Sequence, residues 1–178
     1  LVLSKNVATE WWLANSTADW LLWTDADMHW TPEDLQRLLE TAEEKGPSVV
    51  SGLAFHWMDD TMYPNFFVER REGRVYACLN QFIAFPRDEP FEVPACSGGF
   101  MLVHRNIFKD MLKEEHIEGY PFFFAKMENG KGHGYAQYFN KLAADLGYKI
   151  WIEPRCETKH HDYVSFSSKA YDRWWNKT

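Results

Sequence analysis

The sequence predicts an α/β fold, a mixed and mostly parallel sheet flanked by helices. Two observations carry this. Four short apolar runs are continuous rather than alternating, as in strands buried on both faces: Trp20–Thr24 and residues 48–54, 100–103 and 148–153. Between the first two lies a well-marked helix, so strand, helix and strand follow in the order of a parallel crossover unit.

The elements follow along the chain. Val7, Trp11 and Ala14 fall at helical spacing behind Ser4, a candidate cap, and Asn15-Ser16-Thr17 ends that helix. The run Trp20–Thr24 stops at Asp25-Ala26-Asp27. Thr31 then caps a helix with Pro32 in its first turn and Asp34 three residues after the cap. Leu35, Leu38, Leu39 and Ala42 form its apolar face, and Gly46-Pro47 stops it. Glu72-Gly73, flanked by residues 65–70 and 74–79, predicts a hairpin. Residues 86–94 read as a loop, and Ser97-Gly98-Gly99 leads into the third strand. A short helix over 106–113 follows. Gly130, Gly132 and Gly134 mark a loop before an amphipathic helix over 135–146, closed by Gly147. The last strand gives way to a polar tail over 155–161.

The 178 residues suffice for one domain, and 46% hydrophobic with 25% charged residues is a globular balance. A net charge of -7 argues against a nucleic-acid partner, which calls for a basic surface. It also means that a phosphate ligand calls for a cation. No run approaches membrane-spanning length, and no signal peptide opens the chain. Cys78, Cys96 and Cys156 are odd in number and widely spaced, which predicts no disulfide framework or zinc site and a reducing, cytoplasmic setting. The acidic pairs Glu43-Glu44 and Asp59-Asp60 read as solvated surface, and Trp174-Trp175 as packing or a partner contact.

Asp25 and Asp27 are the strongest chemical signal. Two residues apart, they point the same way in extended chain, at the carboxyl end of a strand where open α/β sheets place their ligand crevice. Two close carboxylates repel unless a cation intervenes, and Mg²⁺ or Mn²⁺ takes oxygen ligands while sharing its shell with substrate phosphates.

The segment Trp20-Leu21-Leu22-Trp23-Thr24-Asp25-Ala26-Asp27-Met28, with Thr31-Pro32-Glu33-Asp34-Leu35, resembles the D-x-D region of family-2-like GT-A glycosyltransferases. The stretch from Lys5-Asn6 to Ala14 resembles the preceding helix of that family. Residues 91–105, with Ser97-Gly98-Gly99, resemble its small-residue segment and strand. Residues 146–154 followed by His160 resemble its last strand and metal-binding histidine. The resemblance covers nearly the whole chain in order.

It implies a GT-A domain over residues 1–178, the C-terminal two-thirds of the fold, lacking the first nucleotide-binding strands and so leaving an exposed sheet edge. It implies a nucleotide-sugar donor, an acceptor hydroxyl and inversion. Asp25, Asp27 and His160 would bind Mn²⁺ or Mg²⁺, with His161 competing for the role of His160. Asp25, Asp27, Ser97, Gly98 and Gly99 would hold the donor. Inverting members carry an acidic pair before the helix that here spans 135–146. This chain has Gly132-His133-Gly134 there, leaving His133, Glu128 or neither as the base. Two other classes fit the same residues: a non-catalytic carbohydrate-binding or scaffold domain, and a metal-dependent phosphohydrolase.

Overall fold

The structure, a computed structural model, describes residues 1–58, 61–70, 74–77, 84–114, 119–128, 131–156 and 158–161. In chain order its first half runs α1 (Val2–Asn15), β1 (Trp20–Thr24), β2 (Met28–His29), α2 (Pro32–Lys45), β3 (Val49–Gly52), β4 (Phe55–Met58), β5 (Thr61–Pro64), β6 (Phe66–Arg70) and β7 (Arg74–Ala77). The second half runs β8 (Phe91–Val93), β9 (Ala95–Cys96), β10 (Phe100–His104), α3 (Arg105–Met111), β11 (Lys126–Glu128), β12 (Lys131–His133), α4 (Tyr135–Asp145), β13 (Ile150–Glu153) and β14 (Lys159–His160). Cys78, Asp59-Asp60, Glu72-Gly73, Gly130 and Trp174-Trp175 lie outside the described residues.

Five strands form the central sheet in the order β1-β10-β3-β13-β8. The fold is α/β and the sheet mixed, but only β3 and β13 pair in parallel; the other three pairings are antiparallel. The expectation of a mostly parallel sheet is thereby corrected. The crossover reading survives in altered form. Because β1 and β3 are each antiparallel to β10, they run in the same direction, with β10 inserted between them.

The apolar runs bury both faces, as their continuity predicts. Val49, Met101, Val103, Ile150 and Ile152 face a core with Ile107 and Phe108 of α3 and Phe139 and Ala143 of α4. Val50, Phe100 and Leu102 face Leu38 and Ala42 of α2. β1 departs from the expectation. It is the edge strand of the sheet, and its apolar residues are half-buried rather than buried.

α2 starts as predicted. Thr31 accepts from the Asp34 amide, Asp34 accepts from the Thr31 amide at 2.9 Å, and Pro32 sits in the first turn. Gly46 ends it at φ 72°, a left-handed backbone that glycine adopts without strain. α1 differs from its prediction. Ser4 lies inside the helix, and Val7 and Trp11 are exposed, whereas Lys5, Asn6 and Thr9 are buried. Asn6 explains the reversal, since its side chain satisfies buried backbone: Oδ1 accepts from the amides of Phe122 and Phe123 and Nδ2 donates to the Phe123 carbonyl at 2.7 Å.

Three segments read as loop or tail contain strands. Residues 91–93 are β8, β11 and β12 form a hairpin that includes Gly132, and the polar tail holds β14. Short strands carry too few residues for periodicity to register.

Candidate functional site

The sheet direction decides which residues meet. β1, β3 and β13 share one direction, so residues after their carboxyl ends gather at one edge of the sheet, the usual ligand edge of such folds. β10 runs the other way, and its pairing of Phe100 with Thr24 brings the segment before β10 to the same place. A cleft of about 410 Å³ opens there. Asp25, Ser97, Gly98, Gly99, His56 and His160 line it, together with the first turn of α4 at Gly134–Gln137. The structure thus brings together Asp25, the small-residue segment and His160 from three distant parts of the chain.

Residues 25–27 form a turn rather than extended chain, with the Met28 amide donating to the Asp25 carbonyl at 3.1 Å. The two aspartates therefore meet different surroundings. The Asp25 amide donates to the Gly99 carbonyl at 2.8 Å, and its Oδ1 lies 3.5 Å from the Lys5 ammonium. The Asp27 carbonyl accepts from the His161 amide at 2.8 Å, and its Oδ2 lies 3.5 Å from Nε2 of His160. Of the adjacent histidines it is His160 that faces Asp27, because β14 pairs with β2 and sets His160 opposite Met28. The ring of His161 packs against His29 instead.

One pair of donors, Asp27 and His160, stands at a separation that a shared divalent cation would span. Two atoms each about 2.1 Å from one ion stand roughly 3.0–3.5 Å apart. Asp27 and His160 meet that separation. Among the described residues no group of three or more His, Cys, Asp or Glu side chains is disposed to hold an ion. An ion here would complete its shell with substrate oxygens and water, as Mg²⁺ and Mn²⁺ do in phosphate-handling sites.

The small-residue segment is held from both sides. The Ser97 amide donates to the Asn65 carbonyl at 2.7 Å, and Asn140 of α4 donates to the Cys96 carbonyl at 3.0 Å. A Cβ on Gly99 would stand at ordinary contact distance from Met28, 3.4 Å, and from Asp25, 3.7 Å, so this glycine faces both of them.

Sequence reasoning missed four lining or flanking residues. Lys5 lies behind Gly98 with its ammonium 4.7 Å from the Trp23 ring centroid and 5.6 Å from that of Tyr135. Burial lowers its pKa, and the charge of Asp25 opposes that shift. Tyr135 has its pKa raised by burial and then by the negative charges of Asp25 and Asp27, so its hydroxyl stays protonated at neutral pH. The His56 ring packs edge-on against His160 with centroids 4.7 Å apart. Gln137 accepts from the Gly134 amide at 3.0 Å and orders the start of α4. The available signal for Lys5 was a polar residue on the second helical stripe of α1, through Val2, Asn6, Thr9 and Leu13.

Glu128 and His133 sit in the β11–β12 hairpin that leads into α4. His133 pairs with Lys126 and directly precedes Gly134 of the cleft; Glu128 pairs with Lys131 at the other end. Cys96 and Cys156 are free and buried, and burial pushes the Cys96 thiol up to about 12, so neither is poised for chemistry.

The family model of glycosyl transferase family 2 matches residues 5–112, a span that includes Asp25, Asp27 and Ser97-Gly98-Gly99 and stops short of α4 and His160. Among solved structures, A197 from STIV superposes with a TM-score of 0.57 at 17% identity, over 90% of this chain and 67% of that one. A crystal structure of GalNAc-T7 with UDP, GalNAc and Mn²⁺ superposes with a TM-score of 0.57 at 13% identity, over 90% of this chain and 30% of that one. No curated protein matches the sequence.

Proposed function

We propose, from the premise that the chain belongs to glycosyl transferase family 2, that it transfers a sugar from a nucleotide-sugar donor to an acceptor hydroxyl. Residues 1–178 would belong to one GT-A domain. The observation that carries the reading is the meeting of Asp27 and His160, 3.5 Å apart, beside a cleft floored by Ser97, Gly98 and Gly99.

In this reading Asp27 and His160 hold a divalent cation, with Mn²⁺ favoured over Mg²⁺ by the imidazole ligand. When bound, the cation supplies positive charge where the nucleoside diphosphate leaves. Asp25, turned toward Gly99 and Lys5 rather than toward His160, holds the donor by accepting hydrogen bonds from its hydroxyls. The open backbone at Gly98 and Gly99 admits the donor sugar. Of the two candidate bases we favour His133, whose chain neighbour is Gly134 of the cleft, over Glu128, two pairs further along the hairpin. His133 would take the acceptor proton as the hydroxyl attacks the anomeric carbon, with inversion. The free, buried thiols of Cys96 and Cys156 support a reducing compartment such as the cytoplasm. Among the described residues no helix is long and apolar enough to cross a membrane.

Addition of Mn²⁺ with a nucleoside diphosphate should raise the melting temperature of the wild type by several degrees and leave Asp27→Ala unmoved. An equal rise in both proteins refutes the assignment. The Gly132-His133-Gly134 segment favours a second reading, a carbohydrate-binding domain without turnover. That reading predicts glycan binding indifferent to metal and no release of nucleotide from any nucleotide sugar.

A further inference from the structure

A buried lysine needs a reason. Moving an ammonium out of water is unfavourable unless a partner compensates, and lysine is among the residues least often found buried. Lys5 is 3% exposed. Its charged neighbour is Asp25, at 3.5 Å, a separation too long for a strong hydrogen bond. Around it stand ring faces: Trp23, Tyr135 and Phe123, with centroids 4.7, 5.6 and 6.0 Å from Nζ. Aromatic faces attract a cation without neutralising it. The ammonium is therefore balanced by one carboxylate at ion-pair distance and by ring faces, leaving a dipole with its positive end fixed at Nζ.

Its placement is also specific. Asn6, the next residue, fastens α1 to the backbone at Phe122 and Phe123, which fixes how deep the helix sits and so where Lys5 reaches. Nζ lies behind Gly98 of the cleft floor, 3.6 Å from where a Cβ at that position would stand. Glycine there places no side chain against the ammonium, which is itself buried and reaches the cleft only through its field. In an acidic protein this puts a fixed positive charge at a place that also holds two aspartates.

We propose that Lys5 gives the donor cleft a protein-borne positive charge, set beside Asp25 and beneath Gly98, that attracts the donor diphosphate without need of a metal ion. The inference rests on the transferase reading, since it takes the cleft to hold a nucleoside diphosphate. It adds a second source of cationic charge to the one that Asp27 and His160 would recruit. Lys5 and that ion then act with opposite preferences: the lysine favours the diphosphate and disfavours a bare cation nearby.

Those opposite signs make the test. Binding of UDP, GDP, CDP and ADP is measured by calorimetry with EDTA present, each against its parent nucleoside, and Mn²⁺ binding is measured alone. Wild type is expected to prefer one diphosphate over its nucleoside by about tenfold in EDTA. Lys5→Met should lose that preference and bind Mn²⁺ several-fold more tightly, and Lys5→Arg should restore both values. Lys5→Gln, neutral but polar, should lose the preference too, and serves if Lys5→Met does not fold. Equal affinity for diphosphate and nucleoside in wild type overturns the proposal. So does a parallel fall of diphosphate and Mn²⁺ binding in Lys5→Met, the pattern of a merely structural lysine. A wild type that binds no nucleoside diphosphate even with Mn²⁺ present overturns the transferase reading itself, a distinct result.

Discussion

Asn6→Ala tests how the fold sets the site. The Asn6 side chain is fully buried and spans 117 positions of sequence to reach the Phe123 carbonyl at 2.7 Å, while accepting from the amides of Phe122 and Phe123 at 3.0 and 3.1 Å. Alanine leaves two buried amides and a carbonyl without these partners. Each such group costs about 1–3 kcal/mol when stranded, and relaxation or an entering water recovers part of the sum. A net loss of about 3–5 kcal/mol is expected, or roughly 10 °C in melting temperature for a chain of this size. Urea unfolding followed by tryptophan fluorescence measures it, with Asn15→Ala as control. Asn15 makes one exposed bond within α1, to the Trp11 carbonyl, and its loss should stay within about 0.5 kcal/mol. Because Asn6 also seats Lys5, the variant should weaken nucleoside diphosphate binding even where it remains folded. A destabilisation below about 1 kcal/mol, with binding intact, refutes the claim that this residue anchors α1 to the site.

Two further predictions concern the frame of the cleft. Gly52→Ala places a Cβ 2.7 Å from Phe100 Cδ1 and 3.2 Å from Cys156 Cβ, both buried, so about 1–3 kcal/mol of stability should be lost in chemical denaturation. Glu153 is buried; burial pushes its pKa up, but hydrogen bonds from Arg155 and Thr41 outweigh that and hold it below the usual carboxylate range. A depressed folded-state pKa means stability that is present above the unfolded pKa and lost as pH falls through the folded value. Glu153→Gln should therefore flatten the acid limb of a stability profile below about pH 4.5; an unchanged limb counts against the linkage.

Much of this was legible in the sequence, for reasons that differ by element. The start of α2 was readable because its cap is local, with Thr31, Pro32 and Asp34 acting within one turn. The burial of β3, β10 and β13 was readable because both faces of each strand are apolar. Strand direction was not. An apolar run records burial and carries nothing about which way its neighbour runs, so the antiparallel insertion of β10 between β1 and β3 is a property of the topology alone. The inward face of α1 was misread because two stripes share the helical period. The apolar one, through Val7 and Trp11, points out, and the polar one through Lys5, Asn6 and Thr9 points in. A polar stripe goes inward where specific partners await it, and those of Asn6, at Phe122 and Phe123, lie more than a hundred residues away. Likewise β14, two residues long, exists through its pairing with β2 and leaves no pattern of its own.

The turn at residues 25–27 changes the argument about the two aspartates. Read as extended chain, they form one pair of like charges that a single cation must relieve. In the structure each has its own neighbour, Lys5 for Asp25 and His160 for Asp27, and its own backbone tie, the Gly99 carbonyl for one and the His161 amide for the other. The repulsion is therefore eased in part before any ligand arrives, and the two carboxylates need not do the same work. One with an ammonium against it attracts a divalent cation weakly, because that cation must approach a like charge. One beside an imidazole has no ammonium against it and gains a second donor within reach. The same physics that would make Asp27 and His160 the ion-binding pair of the proposed transferase makes Asp25 and Lys5 a fixed dipole beside the cleft floor. It is anchored by the chain before β10 on one side and by α1 on the other. A site divided this way derives its specificity from where the backbone ties fall, and moving either tie would merge two tasks into one.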